Sequence, residues 1–320
     1  MNRFSSIQKL LEHLKATKKT NKMLPIKRKS NTFEWLDDGG HQSVIIPSMN
    51  YLNDLSVYRG QNTRYQPCVS SLLRGEICYA DLFIYKIKMA EFQALLDSNP
   101  LTKLSKEYGL KVNVEALAQH YGLKTFHLDV THSVDVAAFF ACCKLEGDSW
   151  QPMRDGIGVF YRLLGIPNHT FEIVGPQIYP RPKEQLAESV RVDIGEDFED
   201  KPFVEIFEFE HSHNDSLAIL KKFNYGKDLF PHDPLAKKAK LIANEKTLSI
   251  HTCKRILKND GIPQKKWESK IQECRLKLSD KNLITERCEH IFSPNECDDM
   301  KKNASNFVNV GFRPVFIPSE

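Results

Sequence analysis

The sequence predicts an α+β fold: a small, mostly antiparallel sheet with helices packed on it, followed by a helical C-terminal region. Three observations predict it. Short runs rich in Val, Ile, Phe and Tyr, such as "SVYRG", "TFHLDVT", "GIGVFYRLL" and "PFVEIFEFE", are bounded by glycine, proline and polar turns and read as strands. Longer segments between them carry apolar residues three or four apart, the period of an amphipathic helix. Beyond Pro234 the chain turns lysine-rich and helical in pattern.

With 320 residues, 41% hydrophobic and 27% charged, the chain is long enough to bury a substantial core. Its net charge of +4 is too small to argue for nucleic acid by itself. No window approaches the ~18 uninterrupted apolar residues of a membrane-spanning helix, and the N-terminus lacks the apolar core of a secretory signal, so a cytoplasmic protein without a membrane partner is expected. The eight cysteines form no CxxC pair and read as reduced thiols buried in the core. His251 with Cys253 and Cys288 with His290 are separated by one residue each, which is not zinc-finger spacing, and no metal is expected.

Residues 1–32 read as a basic N-terminal unit. In "SIQKLLEHLK", Ile7, Leu10, Leu11 and Leu14 recur at helical spacing behind a Ser5 cap, and a basic arm follows. Such an arm is either a solvated extension or an electrostatic contact with an acidic partner such as RNA or DNA.

Residues 33–233 read as the main domain. "TFEWLDDGG" ends in a glycine turn, and "SVYRG" is a strand followed by a break. "DLFIYKIKMAEFQALLDSNP" reads as a helix on Leu82, Tyr85, Met89, Phe92 and Leu96, with Pro100 beyond its end. "NVEALAQHYGL" reads as a second helix stopped by Gly122, and "SVDVAAFFACCKL" as a third, with a Thr131 or Ser133 cap and Asp135 in the first turn.

Residues 234–320 read as two lysine-rich amphipathic helices separated by Gly261-Ile262-Pro263. Leu241, Leu248, Ile256, Leu257, Trp267, Ile271, Leu276 and Leu278 are expected to face the core. The final "FVNVGFRPVFIP" suits an edge strand, since Pro314 and Pro318 would interrupt a sheet interior.

Three polar clusters interrupt these apolar elements. The first is Tyr58-Arg59-Gly60-Gln61 with Arg64. The second is Gln119-His120-Tyr121 followed by Asp129, Thr131 and Ser133. The third is Arg181-Pro182-Lys183-Glu184-Gln185. Each lies at the end of an element, where a polar group can project into a cleft from a fixed backbone. Asp129 follows Leu128 in a strand and needs a partner, because an unpaired buried carboxylate is costly. Taken singly, Asp129 reads equally as a strand-end acid satisfied by amides or by Arg59, and His120 as a packed core histidine.

"YRGQ", "EALAQHYGLKTFHLDVTHSVDVAAFFA", "PQIYPRPKEQ" and "DSLAILKKFNYGKDLFPHDPLAKKA" resemble the FRG domain family over roughly Tyr51 to Ile242. Where many members read "TRLLDWT", this chain reads "TFHLDVT", so Phe126 and Val130 replace a cation and a large aromatic. The family layout is similar to that of ADP-ribosyltransferases, and it implies a split sheet binding NAD as substrate. It implies that Arg59 grips the diphosphate, as a planar guanidinium can. Glu184 would hydrogen-bond a ribose hydroxyl and stabilise positive charge developing on the ribose carbon. His120 and Tyr58 would meet the nicotinamide ribose, with Thr131 or Ser133 on the nicotinamide side. Asp129 would orient Arg59, and Gly60 would let the ligand approach the backbone. Gln61, Gln119, Tyr121, Arg181 and Gln185 complete the implied cofactor-binding set.

The resemblance points to an ADP-ribosyltransferase in a toxin or phage-defence setting with a possible neutralising protein partner, and the basic arm and lysine-rich C-terminal helices point to RNA or DNA as its macromolecular target. The alternative is a non-catalytic ligand-sensing or docking module of a stress or defence system. A His/Asp phosphodiesterase or nuclease built on His120, His127, Asp129 and His132 is a third reading, though it needs three ligands at correct distances. GxGxxG, GxxxxGK[ST] and GxSxG are all missing, so a Rossmann site, a P-loop and an α/β-hydrolase elbow are unsupported.

Overall fold

The computed structural model describes residues 2–17, 33–37, 43–47, 56–107, 112–163, 171–172, 179–279, 291–308 and 314–316. The fold is α+β. Seven strands form the main sheet: β1 (Asn2–Phe4), β2 (Val57–Gln61), β3 (His127–Thr131), β4 (Ile157–Leu163), β5 (Phe171–Glu172), β6 (Ala187–Arg191) and β7 (Val204–Glu210). Their order is β1-β7-β4-β2-β3-β6-β5, and every neighbouring pair is antiparallel except β1 with β7.

The helices are α1 (Ile7–Ala16), α2 (Tyr79–Asp97), α3 (Pro100–Glu107), α4 (Val114–His120), α5 (Val134–Cys142), α6 (Pro180–Glu184), α7 (His213–Lys222), α8 (Pro234–Asn244), α9 (Ile250–Asn259), α10 (Trp267–Glu273) and α11 (Pro294–Val308). Among the described residues none is long and apolar enough to cross a membrane.

Central strand β4 is buried along nearly its whole length because both faces of the sheet are covered. On one face Tyr58, Phe160, Phe207 and Phe209 pack against α1, α5 and α7. On the other, Val57, Leu128, Val130, Val159, Tyr161 and Leu163 pack around Phe198. A third, helical core joins α2, α3, α4 and α8 through Phe92, Leu95, Leu101, Leu117 and Leu235. Residues 2–17 belong to the main body: β1 extends the sheet edge, and Ile7, Leu10 and Leu14 are buried. The helix cap there is Ser6, whose hydroxyl accepts from the Lys9 amide, rather than Ser5.

The C-terminal region departs from the expected pair of helices. The pattern from Asp233 to Asn259 is broken after Asn244, where the Glu245 carboxylate accepts from the Lys246 and Thr247 amides and Ser249 caps a new helix, α9. Thr247–Ser249 pairs in parallel with Lys277–Ser279, so Leu248 and Leu278 sit in short strands, not on helices. Leu241, expected in the core, is 63% exposed. Pro314–Phe316 does return as an edge strand, beside the hairpin of Phe33–Asp37 and Ser43–Pro47.

Helix α4 is tied to β3 by Glu115, whose carboxylate accepts from the Phe126 amide and from Arg191, beside His127. Burial works against its ionisation, but the neighbouring His127 imidazole, 3.7 Å away, and the hydrogen bonds to the carboxylate, among them that from the Phe126 amide, outweigh this and bring the carboxyl down to about 2 from an ordinary 4.5. A depressed carboxylate stabilises the fold above its unfolded-state value, and that contribution is lost as pH falls from about 4.5 toward 2. Urea unfolding of wild type across this window is expected to lose on the order of 3 kcal/mol that the Glu115→Gln variant does not lose. Superimposable pH profiles for the two proteins would contradict this account.

Candidate functional site

The sheet opens between β2 and β3. These strands share one registered pair, Tyr58 opposite Thr131, whereas β2 and β4 pair along all five residues of β2. Beyond that pair no ladder joins β2 to β3. There the Arg59 guanidinium reaches across, and its Nη1 donates to the Asp129 carbonyl oxygen at 2.7 Å. The sequence expectation had the Asp129 carboxylate orient Arg59. In the structure the main chain of Asp129 does so, leaving the carboxylate for another partner.

That partner is His120, at the end of α4. The Gln185 amide nitrogen donates to the Leu229 carbonyl at 3.0 Å, and because a carbonyl can only accept, the amide oxygen must face the imidazole. His120 Nδ1 therefore carries a hydrogen and donates to Gln185 Oε1 at 3.2 Å. The other ring nitrogen, Nε2, is turned to Asp129 Oδ1 across 3.5 Å. Neither of these two atoms has a hydrogen-bond partner, nor does Arg59 Nε.

All three residues line one cavity of about 280 Å³. Its walls also include Tyr58, Gly60, Gln61, Thr131 and Gln185 from the sequence-derived set. Arg59, Arg74 and Lys144 stand against the single acid Asp129 among the lining residues, a balance that favours an anionic ligand. Thr131 is held by its hydroxyl, which donates to the Gln185 carbonyl at 2.6 Å. The far end of β2 is fixed by a separate network. The single Tyr161 hydroxyl proton goes to Glu199 at 2.8 Å, with the Gln61 side-chain amide 3.1 Å from the same oxygen, and Glu199 also takes both nitrogens of an Arg64 fork. Burial works against ionisation of Glu199, yet the bonds from Arg64 and Tyr161 hold its carboxyl below the ordinary range.

Other expected residues lie elsewhere. Glu184 is not among the lining residues: it sits on the single turn of α6, with its side chain 45% exposed and beside Lys183. Its neighbour Gln185 turns inward. Tyr121 is buried in the helical core, and its hydroxyl donates to Asp233 at 2.5 Å. Arg181 lies over the rings of Tyr121 and Phe230 and donates to the His120 carbonyl. Gln119 accepts from Thr125 and Ser71, and Ser133 caps α5. Gly60 lines the cavity, but the space above its Cα belongs to α5: a Cβ there would lie 1.9 Å from the Ala137 carbonyl oxygen. Its missing side chain admits a helix, not a ligand.

Sequence reading missed Tyr65, Arg74, Phe140 and Trp150 in the cavity lining. Tyr65 and Arg74 form a cation–π pair with the guanidinium 5.6 Å from the ring centre. Both follow "YRGQ" closely enough to be noticed. Trp150 is brought in by the antiparallel ribbon Cys143–Glu146/Ser149–Pro152 and stacks on Phe230, a contact with no local signature. The four residues of the phosphodiesterase reading are split up. His127 bonds Ser189, His132 pairs with Glu188, and only His120 and Asp129 meet. Among the described residues no group of three or more His, Cys, Asp or Glu is placed to hold a metal ion.

The sequence profile of the FRG domain matches residues 54–149. The chain carries an FRG domain. The match spans β2, α2 to α5, β3 and the first strand of the Cys143–Pro152 ribbon. It includes Arg59, His120 and Asp129, whereas Gln185 and Leu229, which orient His120, lie beyond it. No curated protein and no solved structure matches the chain.

Proposed function

We propose that the FRG domain is an ADP-ribosyltransferase that binds NAD in the opening between β2 and β3 and transfers its ADP-ribosyl group to a macromolecular acceptor. The observation that carries this reading is the convergence on one cavity of three buried polar atoms without hydrogen-bond partners: Arg59 Nε, His120 Nε2 and Asp129 Oδ1. Buried polar atoms are nearly always satisfied, so such a group marks where a ligand's polar atoms belong. A cavity of about 280 Å³ is near the lower end of the ~300–1,000 Å³ usual for ligand pockets. It would enclose the nicotinamide ribose and part of the diphosphate.

NAD supplies the ADP-ribosyl group, with nicotinamide as leaving group. Arg59 is anchored through Nη1 and leaves Nε to grip a diphosphate oxygen. Asp129 is the acid among the lining residues and takes the place the resemblance gave to Glu184, stabilising positive charge that develops on the ribose carbon. His120, fixed through Nδ1, presents Nε2 to hold a ribose hydroxyl or receive a proton.

The test is to incubate the purified chain with NAD labelled in its adenosine half, together with RNA, DNA and protein acceptors, and to follow nicotinamide release and label transfer. Wild type is expected to release nicotinamide, and Arg59→Ala to bind NAD too weakly for transfer at the same concentration. Failure of wild type to bind NAD at all would end the proposal. Binding without turnover would favour a ligand-sensing module, a second reading suggested by the position of Glu184 outside the cavity.

A further inference from the structure

Residues 246–279 carry nine basic residues against three acidic ones. That excess is larger than the +4 of the whole chain, so the remaining residues are net acidic. This segment is also a structural unit: the parallel pair Thr247–Ser249/Lys277–Ser279 encloses α9 and α10, and the unit packs on α2.

The cations are on its outside. Lys246, Lys254, Arg255, Lys258, Lys265, Lys266, Arg275 and Lys277 are all exposed, and none takes part in an ion pair among the described residues. Two of the three acids are already neutralised, Asp260 by Lys86 and Glu273 by Lys270. Lys254 and Arg255 are neighbours on α9, and Lys258 follows about one helical turn, or roughly 5–6 Å, further along. Lys265 and Lys266 follow at a closed corner, where the Lys266 amide bonds the Pro263 carbonyl and the Trp267 indole bonds the Ile262 carbonyl. The cationic ridge is therefore mounted on fixed backbone.

The apolar side chains of the unit limit the choice of partner. Cys253 and Leu257 are buried against Phe83 and Ile87, with Ile256, Trp267 and Ile271 packed around them. No large hydrophobic residue of this segment is exposed. An anionic membrane would be gripped with an apolar face, and a single strand with aromatic platforms for its bases. The unit offers neither. What it offers is an array of cations mounted on fixed backbone and, among the described residues, outside any ion pair, which suits the regularly spaced phosphates of a duplex.

We propose that the α9–α10 unit is a docking surface for the phosphate backbone of double-stranded nucleic acid, independent of base sequence. This names the macromolecular partner of the transferase reading and rests on that reading for its purpose. Its test needs no NAD, so the two can fail separately.

The full chain would be titrated against fluorescent DNA and RNA duplexes of about 20 bp, long enough to span several phosphates per strand, at salt from 50 to 200 mM. Affinity is expected to fall steeply with salt, with a log–log slope set by the number of phosphates engaged. The variant Lys254→Glu/Arg255→Glu/Lys258→Glu is expected to bind at least about 10-fold more weakly and with a shallower slope. Lys106→Glu, which alters an exposed lysine on α3 paired with Asp97, serves as the charge control. Circular dichroism and melting of both variants would establish that they are folded. Duplex binding that survives the triple change would overturn the assignment, as would tighter capture by phosphatidylserine vesicles or by single strands.

Discussion

Asp129→Asn is expected to lower nicotinamide release from NAD by about 100- to 1,000-fold, the loss seen when one preorganised electrostatic stabiliser is removed from a transition state. The substitution keeps the shape of the side chain and leaves the main-chain carbonyl that anchors Arg59 untouched. Diphosphate binding should therefore survive, and the loss should appear in kcat more than in KM. His120→Gln removes the group facing the same carboxylate oxygen. The double variant should be little worse than the more damaging single one, because the two residues act as a unit. Gln185→Leu adds a readout independent of turnover. Without the amide oxygen the imidazole is free to change tautomer, and its ring-nitrogen NMR shifts should move. Glu184→Gln should retain near-wild-type rates, since that side chain lies outside the cavity. An Asp129→Asn enzyme that turns over NAD normally would remove the carboxylate from the mechanism.

The second large effect is expected on folding. Gly60→Ala should cost about 3 kcal/mol or more, at or beyond the top of the range for overpacking a core. A Cβ at this position would stand 1.9 Å from the Ala137 carbonyl oxygen and 2.7 Å from the Ala141 amide nitrogen. These are backbone atoms of α5, so no rotamer change relieves the contact. Helix α5 approaches β2 this closely because Ala137 and Ala141, one turn apart, present only methyl groups to the strand. Displacing α5 would also disturb Val136 and Phe140 in the cavity wall. Equilibrium unfolding in urea measures the loss. A variant as stable as wild type would mean that the helix can withdraw from the strand at little cost.

Much of the fold is legible along the chain. Ser133 caps α5 as its position before an apolar run foretells, and Gly122 closes α4 with a φ of +84°. The strands of "SVYRG" and "TFHLDVT" announce themselves by composition, but Arg59 and Asp129 stand in the middle of β2 and β3, not at the strand ends that were expected. The lysine-rich pattern after Pro234 was less informative. Its helical period continues past Asn244, and only side-chain bonds from Glu245 and Ser249 show where the helix gives way to a strand.

The amino-acid sequence by itself determined most strands and helices of the main domain, several of their caps, and that Arg59, His120, Asp129 and Gln185 belong to polar clusters on or beside them. These follow from interactions within a few residues, which composition and spacing record directly. Only the tertiary structure decided that Arg59 meets a main-chain carbonyl and Asp129 a histidine, that Gln185 enters the site while Glu184 faces solvent, and that Gly60 is reserved for a helix. Those outcomes depend on which strands become neighbours, so they join residues such as His120 and Gln185 that are 65 positions apart. No local pattern encodes that choice, because its free energy comes from burying both faces of one sheet at once.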